Sequence, residues 1–400
     1  MPYYIGDVIG DWKRLIARTP EKFEETGVKV RLNTRVREID TGKGNVRLEN
    51  GETLPYDELV VATGAAPIVP DIPGTERDGV FVLKTLRDGI NIKNYINEKA
   101  CRKAIIIGAG FISMEMSEGL RNLGIETEVI YRGELPVSRW DPEFSKLVLD
   151  ELVKNNVSFI SNTLPVAIES GNDYPLRLIT DKGKHEGDLI LIALGVRPNT
   201  DLARDAGIEI GKTGALKVDL SQRTSGERIY SVGDCAEVYH RMSNEWVYMP
   251  LGDIANKQGR VAGSNIGGNP MEFKGVVGAQ SFKVFGLELA ATGLDEKAAQ
   301  KIGFDSASLI IWGTPVARSM NLKKDRLGLK LIADRASGKL LGAQAIGDGG
   351  AVGRINTLSA CLWAGMDLDE VGYIDLAYSP PFGGAWDTIQ IAAQALKRKM

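Results

Sequence analysis

Lys103-Ala-Ile-Ile-Ile-Gly108-Ala-Gly110-Phe-Ile-Ser113 runs without a break into Met114-Glu-Met-Ser-Glu-Gly-Leu-Arg-Asn-Leu123, and Glu126-Thr-Glu-Val-Ile-Tyr131 follows. The first apolar run has strand length, the middle stretch has helical periodicity, and the last again reads as a strand. Strand, glycine turn, helix, strand is the unit that holds a dinucleotide pyrophosphate. Gly108 permits the sharp turn, Gly110 lets backbone approach the phosphates, and the helix start offers unpaired N–H groups to the anion. Phe111 and Ile112 lie in the same turn, and Ser113 stands where a third glycine is usual, small enough for close helix–strand packing.

Where the second strand ends, an NAD site usually places an acidic residue for the ribose 2′-hydroxyl. Here the chain reads Tyr131-Arg132-Gly133. A guanidinium grips a 2′-phosphate with charge-assisted hydrogen bonds, so NADP(H) is expected in preference to NAD(H).

The composition narrows the rest. With 400 residues the chain has room for two or three domains, and 43 % hydrophobic with 25 % charged content is that of an ordinary globular protein. A net charge of −3 and a pI of about 5.7 provide no basic field for nucleic acid or an anionic membrane. No apolar run approaches the ~18 residues of a membrane span. Cys101, Cys235 and Cys361 form no close pair, so neither a disulfide scaffold nor a metal site is expected, and the reducing cytoplasm is the expected compartment.

Upstream, Met1-Pro-Tyr-Tyr-Ile-Gly-Asp7 does not look like the start of a domain. Trp12 to Arg18 has a short helical pattern, and Thr19 with Pro20 reads as an N-cap and first turn. Val28–Leu32 and Thr34–Ile39 alternate as strands. Asn45–Glu49 and Thr53–Tyr56 flank Asn50-Gly51 as a hairpin. The apolar Leu59-Val-Val61 then runs into Thr63-Gly64-Ala65, a turn small enough for backbone to lie against a ligand.

Asp57-Glu-Leu-Val-Val-Ala-Thr63-Gly64 resembles the segment that joins the FAD domain to the NAD(P) domain in the pyridine nucleotide-disulfide oxidoreductase superfamily. Three further segments match in order. Asp71-Ile-Pro-Gly74 resembles the crossover linker, and Leu189 to Leu194 with Gly195-Val-Arg-Pro-Asn-Thr200 resembles the last strand of the NAD(P) domain. Ile229-Tyr-Ser-Val-Gly233-Asp234 resembles the second FAD motif, in which the aspartate holds the ribityl or phosphate side. The resemblance covers nearly the whole chain. It implies an α/β fold with two Rossmann-like dinucleotide-binding domains and a C-terminal α+β dimerisation domain.

The resemblance also implies roles for other residues. Pro250 and Leu251 open a helix, continuing through Ala255, whose N-terminus points at the flavin ring and stabilises negative charge there. Phe111 would cover the flavin face when nicotinamide is absent, and Glu115 matches a glutamate near the nicotinamide carboxamide. Ala377-Tyr378-Ser-Pro-Pro-Phe382 resembles the single-cysteine branch, which includes CoA-disulfide reductases, NADH oxidases and peroxidases, and polysulfide reductases. In that branch the tyrosine reaches the partner subunit's site, which makes Tyr378 the candidate proton donor or thiolate partner. Cys361, on the helix Ala351–Ala364 with Leu358 and Trp363 nearby, reads as core.

The domain plan that follows is an FAD domain in two parts, residues 1–100 and 216–274, an NAD(P) domain over 101–215 and a homodimer-forming domain over 275–400. In the single-cysteine branch a Cys-Gly pair precedes Pro-Tyr-Tyr-Ile-Gly, and a first FAD-binding βαβ unit lies upstream. The chain is therefore expected to be an N-terminally truncated form, with an incomplete FAD domain, an open sheet edge and weakened FAD affinity. The expected activity is hydride transfer from NAD(P)H through FAD to a disulfide, persulfide or similar thiol-linked acceptor. Reduction of oxygen or peroxide is the alternative. A catalytically silent, nucleotide-binding dimeric fragment lacking the redox cysteine is a second alternative.

Overall fold

The computed structural model describes residues 1–400, which form two compact units. The first comprises Met1–Gly10, Val69–Leu194 and Val277–Met400, the second Asp11–Ile68 and Gly195–Val276. This division differs from the expected boundaries at residues 100 and 215. Val80–Val82 pairs in parallel with Leu189–Ile192, which draws the segment from Val69 onward into the nucleotide sheet. Beyond Leu194 the chain pairs Val196–Pro198 with Ala65–Pro67 and enters the second unit. Strands of three residues carry too little periodicity to be seen in the sequence.

At the centre of the first unit is a five-stranded parallel sheet, ordered Val80–Val82, Leu189–Ile192, Lys103–Ile107, Glu126–Ile130 and Val157–Ile160. The strands Leu189–Ile192 and Lys103–Ile107 are almost wholly apolar because both faces of the sheet are covered. Ile105, Ile107, Ile190 and Ile192 pack on Ile168, Leu176 and Leu178 of the antiparallel strands Pro165–Ser170 and Leu176–Thr180. The helix Phe111–Asn122 packs on the same sheet, and Ile105, Ile106, Ile190 and Leu191 are fully buried. The helix Leu86–Glu98 begins at a capping box formed by Thr85 and Asp88, and Pro142–Lys154 begins at an Asp141 cap. The N-terminal turn of helix, Pro2–Ile5, seats on the helix Phe111–Asn122 through two glycines. A Cβ added at Gly6 would lie 2.5 Å from the Gly119 Cα. Lys93, buried, donates to the Ile5 carbonyl at 2.8 Å and pairs with Asp7, fastening the same C-terminal end of this turn.

Val277–Met400 contains a five-stranded antiparallel sheet in the order Gln280–Val284, Leu287–Gly293, Leu340–Gly347, Leu327–Asp334 and Ser306–Gly313. The helix Ala351–Ala364 forms over the expected residues and ends at Gly365, which adopts φ +74°. Cys361 is buried on it, with its thiol pushed up in pKa by that burial, but Trp363 turns outward and is 44 % exposed. The expectation that Trp363 joins Cys361 and Leu358 is therefore corrected. Two positions further along a helix is about 200° around its axis, so the two side chains face apart.

The second unit holds the expected hairpin, Asn45–Leu48 against Thr53–Pro55, with Val36–Asp40 completing a three-stranded antiparallel sheet. Val28–Leu32 is not a strand: no neighbour pairs with it, and Val28 and Leu32 are exposed. Trp12–Leu15 is a 3₁₀ turn capped by Asp11, and Pro20–Glu24 is a short helix behind Thr19. Leu59–Val61 and Ile229–Ser231 pair in parallel, and the helix Gly252–Ile266 follows them. No helix of the chain is long and apolar enough to cross a membrane.

The glycine contact at position 6 gives a direct stability test. Gly6→Ala should cost about 1–3 kcal/mol, the range for overpacking a filled site, whereas Gly10→Ala, with nothing within 4 Å of the added Cβ, should stay within about 0.5 kcal/mol. Equal thermal midpoints for the two variants in calorimetry would show that the N-terminal turn is not packed as described.

Candidate nucleotide-binding and redox site

In the first unit the candidate residues gather at the carboxyl ends of the parallel strands, where ligands bind in open α/β sheets. Gly108 follows Lys103–Ile107 at φ +115°, and its N–H donates to the Ile130 carbonyl at 2.9 Å. A Cβ there would sit 2.4 Å from the Ala193 carbonyl oxygen, so only glycine fits. Gly110 is the N-cap of the helix, with no side-chain cap, no acidic residue in the first turn and nothing within 4 Å of an added Cβ. This uncapped helix start beside open space fits a dinucleotide pyrophosphate. Ser113 is fully buried under the helix, its hydroxyl without a hydrogen-bond partner, and Ile112 is exposed.

Tyr131 and Arg132 follow Glu126–Ile130 at the same edge. The Tyr131 hydroxyl lies 3.0 Å from Ser138 Oγ, and its ring covers Gly133, where a Cβ would come within 2.6 Å of it. Arg132 is exposed. Glu115 is half-buried; burial raises its carboxyl pKa, the terminal amino group of Met1 lowers it, and Glu118 raises it further. Phe111 stacks on Phe282 of the C-terminal sheet at 4.6 Å between centroids, and Trp140 meets the same ring edge-on at 5.6 Å.

The second unit builds a separate cluster. Because Val61 pairs with Ser231, Thr63-Gly64-Ala65 and Gly233-Asp234 emerge side by side at the carboxyl end of two parallel strands. Gly64 and Gly233 take φ +68° and +77°, and a Cβ on Gly233 would touch Ala255 at 3.5 Å. Pro250 and Leu251 precede the helix Gly252–Ile266, whose N-cap Leu251 supplies no side-chain cap and whose Gly252 borders open space. The Tyr248 hydroxyl is buried without a partner; burial, then the charge of Asp234, pushes its pKa up to about 12. An uncapped helix start, open glycines and an unsatisfied phenol fit an electron-rich cofactor such as a flavin. Gly195, at φ +97°, accepts from Ile68 N at 2.9 Å.

Two supports were not singled out from the sequence. Asn199 fastens the turn after Val61: its amide donates to Thr63 O at 2.9 Å, and Thr63 Oγ1 donates to its carbonyl at 2.6 Å. Gln258, fully buried, accepts from Gly233 N at 2.8 Å and donates to Glu237 O at 2.9 Å. A lone Asn or Gln gives no periodic signal, and only the fold shows which backbone group it meets.

None of the three cysteines is placed as a nucleophile. Cys101 is pushed up to about 11, by burial and then by Asp188, and Cys235 is buried with Sγ 3.4 Å from Val232 O. Tyr378 is 58 % exposed on the C-terminal domain, in the segment between the helices Leu368–Tyr373 and Thr388–Lys399.

The profile of pyridine nucleotide-disulphide oxidoreductases matches residues 6–259, and that of their dimerisation domain matches residues 279–390. The chain belongs to this family. It is therefore a flavin-dependent oxidoreductase that uses a nicotinamide nucleotide, and its C-terminal part carries the family's dimerisation domain. Over 397 residues it is 35% identical to the NAD(P)H sulfur oxidoreductase (CoA-dependent) of Pyrococcus abyssi, covering 98% of this chain and 88% of that one. The NAD-dependent persulfide reductase from A. fulgidus superposes with a TM-score of 0.94 at 35% identity, over 100% of this chain and 75% of that one. An engineered water-forming NADPH oxidase bound to NADPH, a mutant of the Lactobacillus brevis enzyme, gives 0.94 at 26% identity over 100% and 89% of the two chains.

The two glycines separate folding from binding. Gly108→Ala should destabilise the first unit, because the added Cβ meets backbone. Gly110→Ala, at ordinary φ and in open space, should keep the parent's stability within about 0.5 kcal/mol yet weaken NAD(P)H binding in a fluorescence titration. Unchanged affinity in Gly110→Ala would remove the pyrophosphate from this turn.

Proposed function

We propose that the chain takes hydride from NADPH and delivers it, by way of FAD, to a thiol-linked acceptor of the CoA disulfide or persulfide kind. The observation that carries this is the likeness along 98% of the chain to a CoA-dependent sulfur oxidoreductase. FAD, when bound, accepts the hydride and passes on the electron pair. For a disulfide acceptor, NADPH, one proton and the disulfide give NADP⁺ and two thiols.

The chain's own residues orient and stabilise. Gly108, Gly110, Phe111, Ile112 and Ser113 receive the NADPH pyrophosphate at the helix start, and Glu115 holds the carboxamide end. Thr63, Gly64, Ala65, Gly195, Gly233, Asp234, Pro250, Leu251 and Ala255 line the FAD side, with the start of Gly252–Ile266 favouring negative charge. Tyr378 supplies the proton or steadies the departing thiolate, from a domain that exposes Tyr373, Phe382 and Trp386 beside it and pairs two copies into a homodimer. Three free cysteines support a reducing compartment such as the cytoplasm.

For the nicotinamide nucleotide, Arg132 supports NADPH over NADH, with Tyr131 beside it at the ribose edge. The NADPH-bound oxidase was engineered by exchanges that include a glycine to alanine and, nineteen positions further on, an alanine to arginine. Nineteen positions also separate Ser113 from Arg132. The same likeness favours a second reading, reduction of oxygen to water by the same cofactors.

Anaerobic turnover distinguishes the readings: two thiols released per NADPH from CoA disulfide support the first, and NADPH consumption only when oxygen is admitted supports the second. Arg132→Ala should raise KM for NADPH about 10–100-fold, corresponding to roughly 1.5–3 kcal/mol for hydrogen bonds to a charged group, and leave KM for NADH unchanged. Equal effects on both nucleotides would remove Arg132 from the cofactor choice.

A further inference from the structure

We infer that Arg354 is the positioning residue that holds the Tyr378 segment in place, and this rests on the role of Tyr378 proposed above. Arg354 lies in the first turn of Ala351–Ala364 and is 8% exposed. Its Nε and one terminal nitrogen donate to the two carboxylate oxygens of Asp387, at 3.1 and 2.7 Å. The guanidinium also donates to the Gly350 carbonyl at 3.2 Å and to the Pro315 carbonyl at 3.3 Å. One side chain thus joins three parts of the domain.

Two of these parts, Asp387 and the Pro315 stretch, support the tyrosine. Asp387 is the N-cap of Thr388–Lys399, in a capping box with Gln390, and so fixes the end of the segment. Gln390 Nε2 donates to the Ile374 carbonyl at 2.9 Å and ties down its beginning. Pro315 belongs to the stretch in which Ala317 N donates to Pro380 O at 2.9 Å, two residues beyond Tyr378. Gly383 lies directly over the ion pair, since a Cβ there would be 3.3 Å from Asp387 and 3.7 Å from Arg354. Its N–H donates to Ser379 O, the residue after the tyrosine.

Outside these anchors the segment has little to hold it. Tyr378 and Phe382 are 58% and 77% exposed in the single chain, so no packing within that chain sets the position of the hydroxyl. The segment itself lines a half-open cavity of about 230 Å³, with Tyr373, Tyr378, Trp386 and Gln390 in its wall. The bidentate pair of the buried Arg354 with Asp387 is the charged anchor that holds this wall in place.

The test uses the FAD-loaded full chain with Arg354→Lys, Arg354→Met and Tyr378→Phe, reading amide hydrogen exchange of residues 376–386 beside turnover. A lysine keeps the charge but loses the fork, so Arg354→Lys should fold even if Arg354→Met does not. In it residues 376–386 should exchange faster than in the parent, while Leu327–Asp334 and Leu340–Gly347 stay protected. Its kcat with the thiol-linked acceptor should fall toward the roughly 100-fold loss that a misplacement of about 1 Å brings, with KM for NADPH unchanged. In the Tyr378→Phe background the same change at 354 should add no further loss. Unchanged exchange over 376–386, or equal loosening of the whole C-terminal sheet, overturns the inference. If Tyr378→Phe alone leaves turnover intact, the reading of the tyrosine falls, and the exchange result still decides whether Arg354 holds the segment.

Discussion

Contact between the Gly108 backbone and the Ala193 carbonyl is the constraint on which the first unit depends. It exists because the strand Lys103–Ile107 pairs with Leu189–Ile192 and turns at once, at φ +115°, into the helix Phe111–Asn122. That helix is the hub of the unit. Its start faces the nucleotide edge, Gly119 receives the N-terminal turn, and Phe111 stacks on Phe282. Glu118 accepts from Phe285 N at 2.8 Å and pairs with Lys283, fastening the hairpin of the C-terminal sheet. A side chain at position 108 would push this helix off its strand and disturb all four contacts together.

In the second unit, polar side chains do the corresponding work. Asn199 and Gln258 each hold the backbone of one glycine turn, Thr63-Gly64 and Gly233-Asp234 respectively. Hydrogen bonds of this kind contribute only about 1 kcal/mol each, but they decide which way the N–H groups point. A site that binds by electrostatics needs this preorganisation more than it needs added stability.

The sequence made much of this legible. Gly108, Gly110 and Ser113 announced the nucleotide turn because its geometry demands small residues at fixed spacing, and Asn50-Gly51 announced its hairpin for the same reason. The helix Ala351–Ala364 showed through its apolar spacing. What stayed hidden depends on tertiary neighbours. Val28–Leu32 alternates as a strand should but has nothing to pair with, whereas Val80–Val82 is too short to read and is nevertheless an edge of the parallel sheet. Trp363 looked like core by residue type and faces outward by helical phase. Arg354 and Asp387 are 33 residues apart, and no local pattern connects them.

In the proposed function NADPH reduces a bound flavin, which then reduces a thiol-linked acceptor. Single-turnover mixing without oxygen tests it most directly, by following the flavin's visible absorbance first with NADPH or NADH and then with CoA disulfide or persulfide. Bleaching should be faster with NADPH than with NADH, and the colour should recover fully on adding the sulfur acceptor. Bleaching at equal rates by the two nucleotides, or recovery of colour with oxygen alone, would contradict the proposed function.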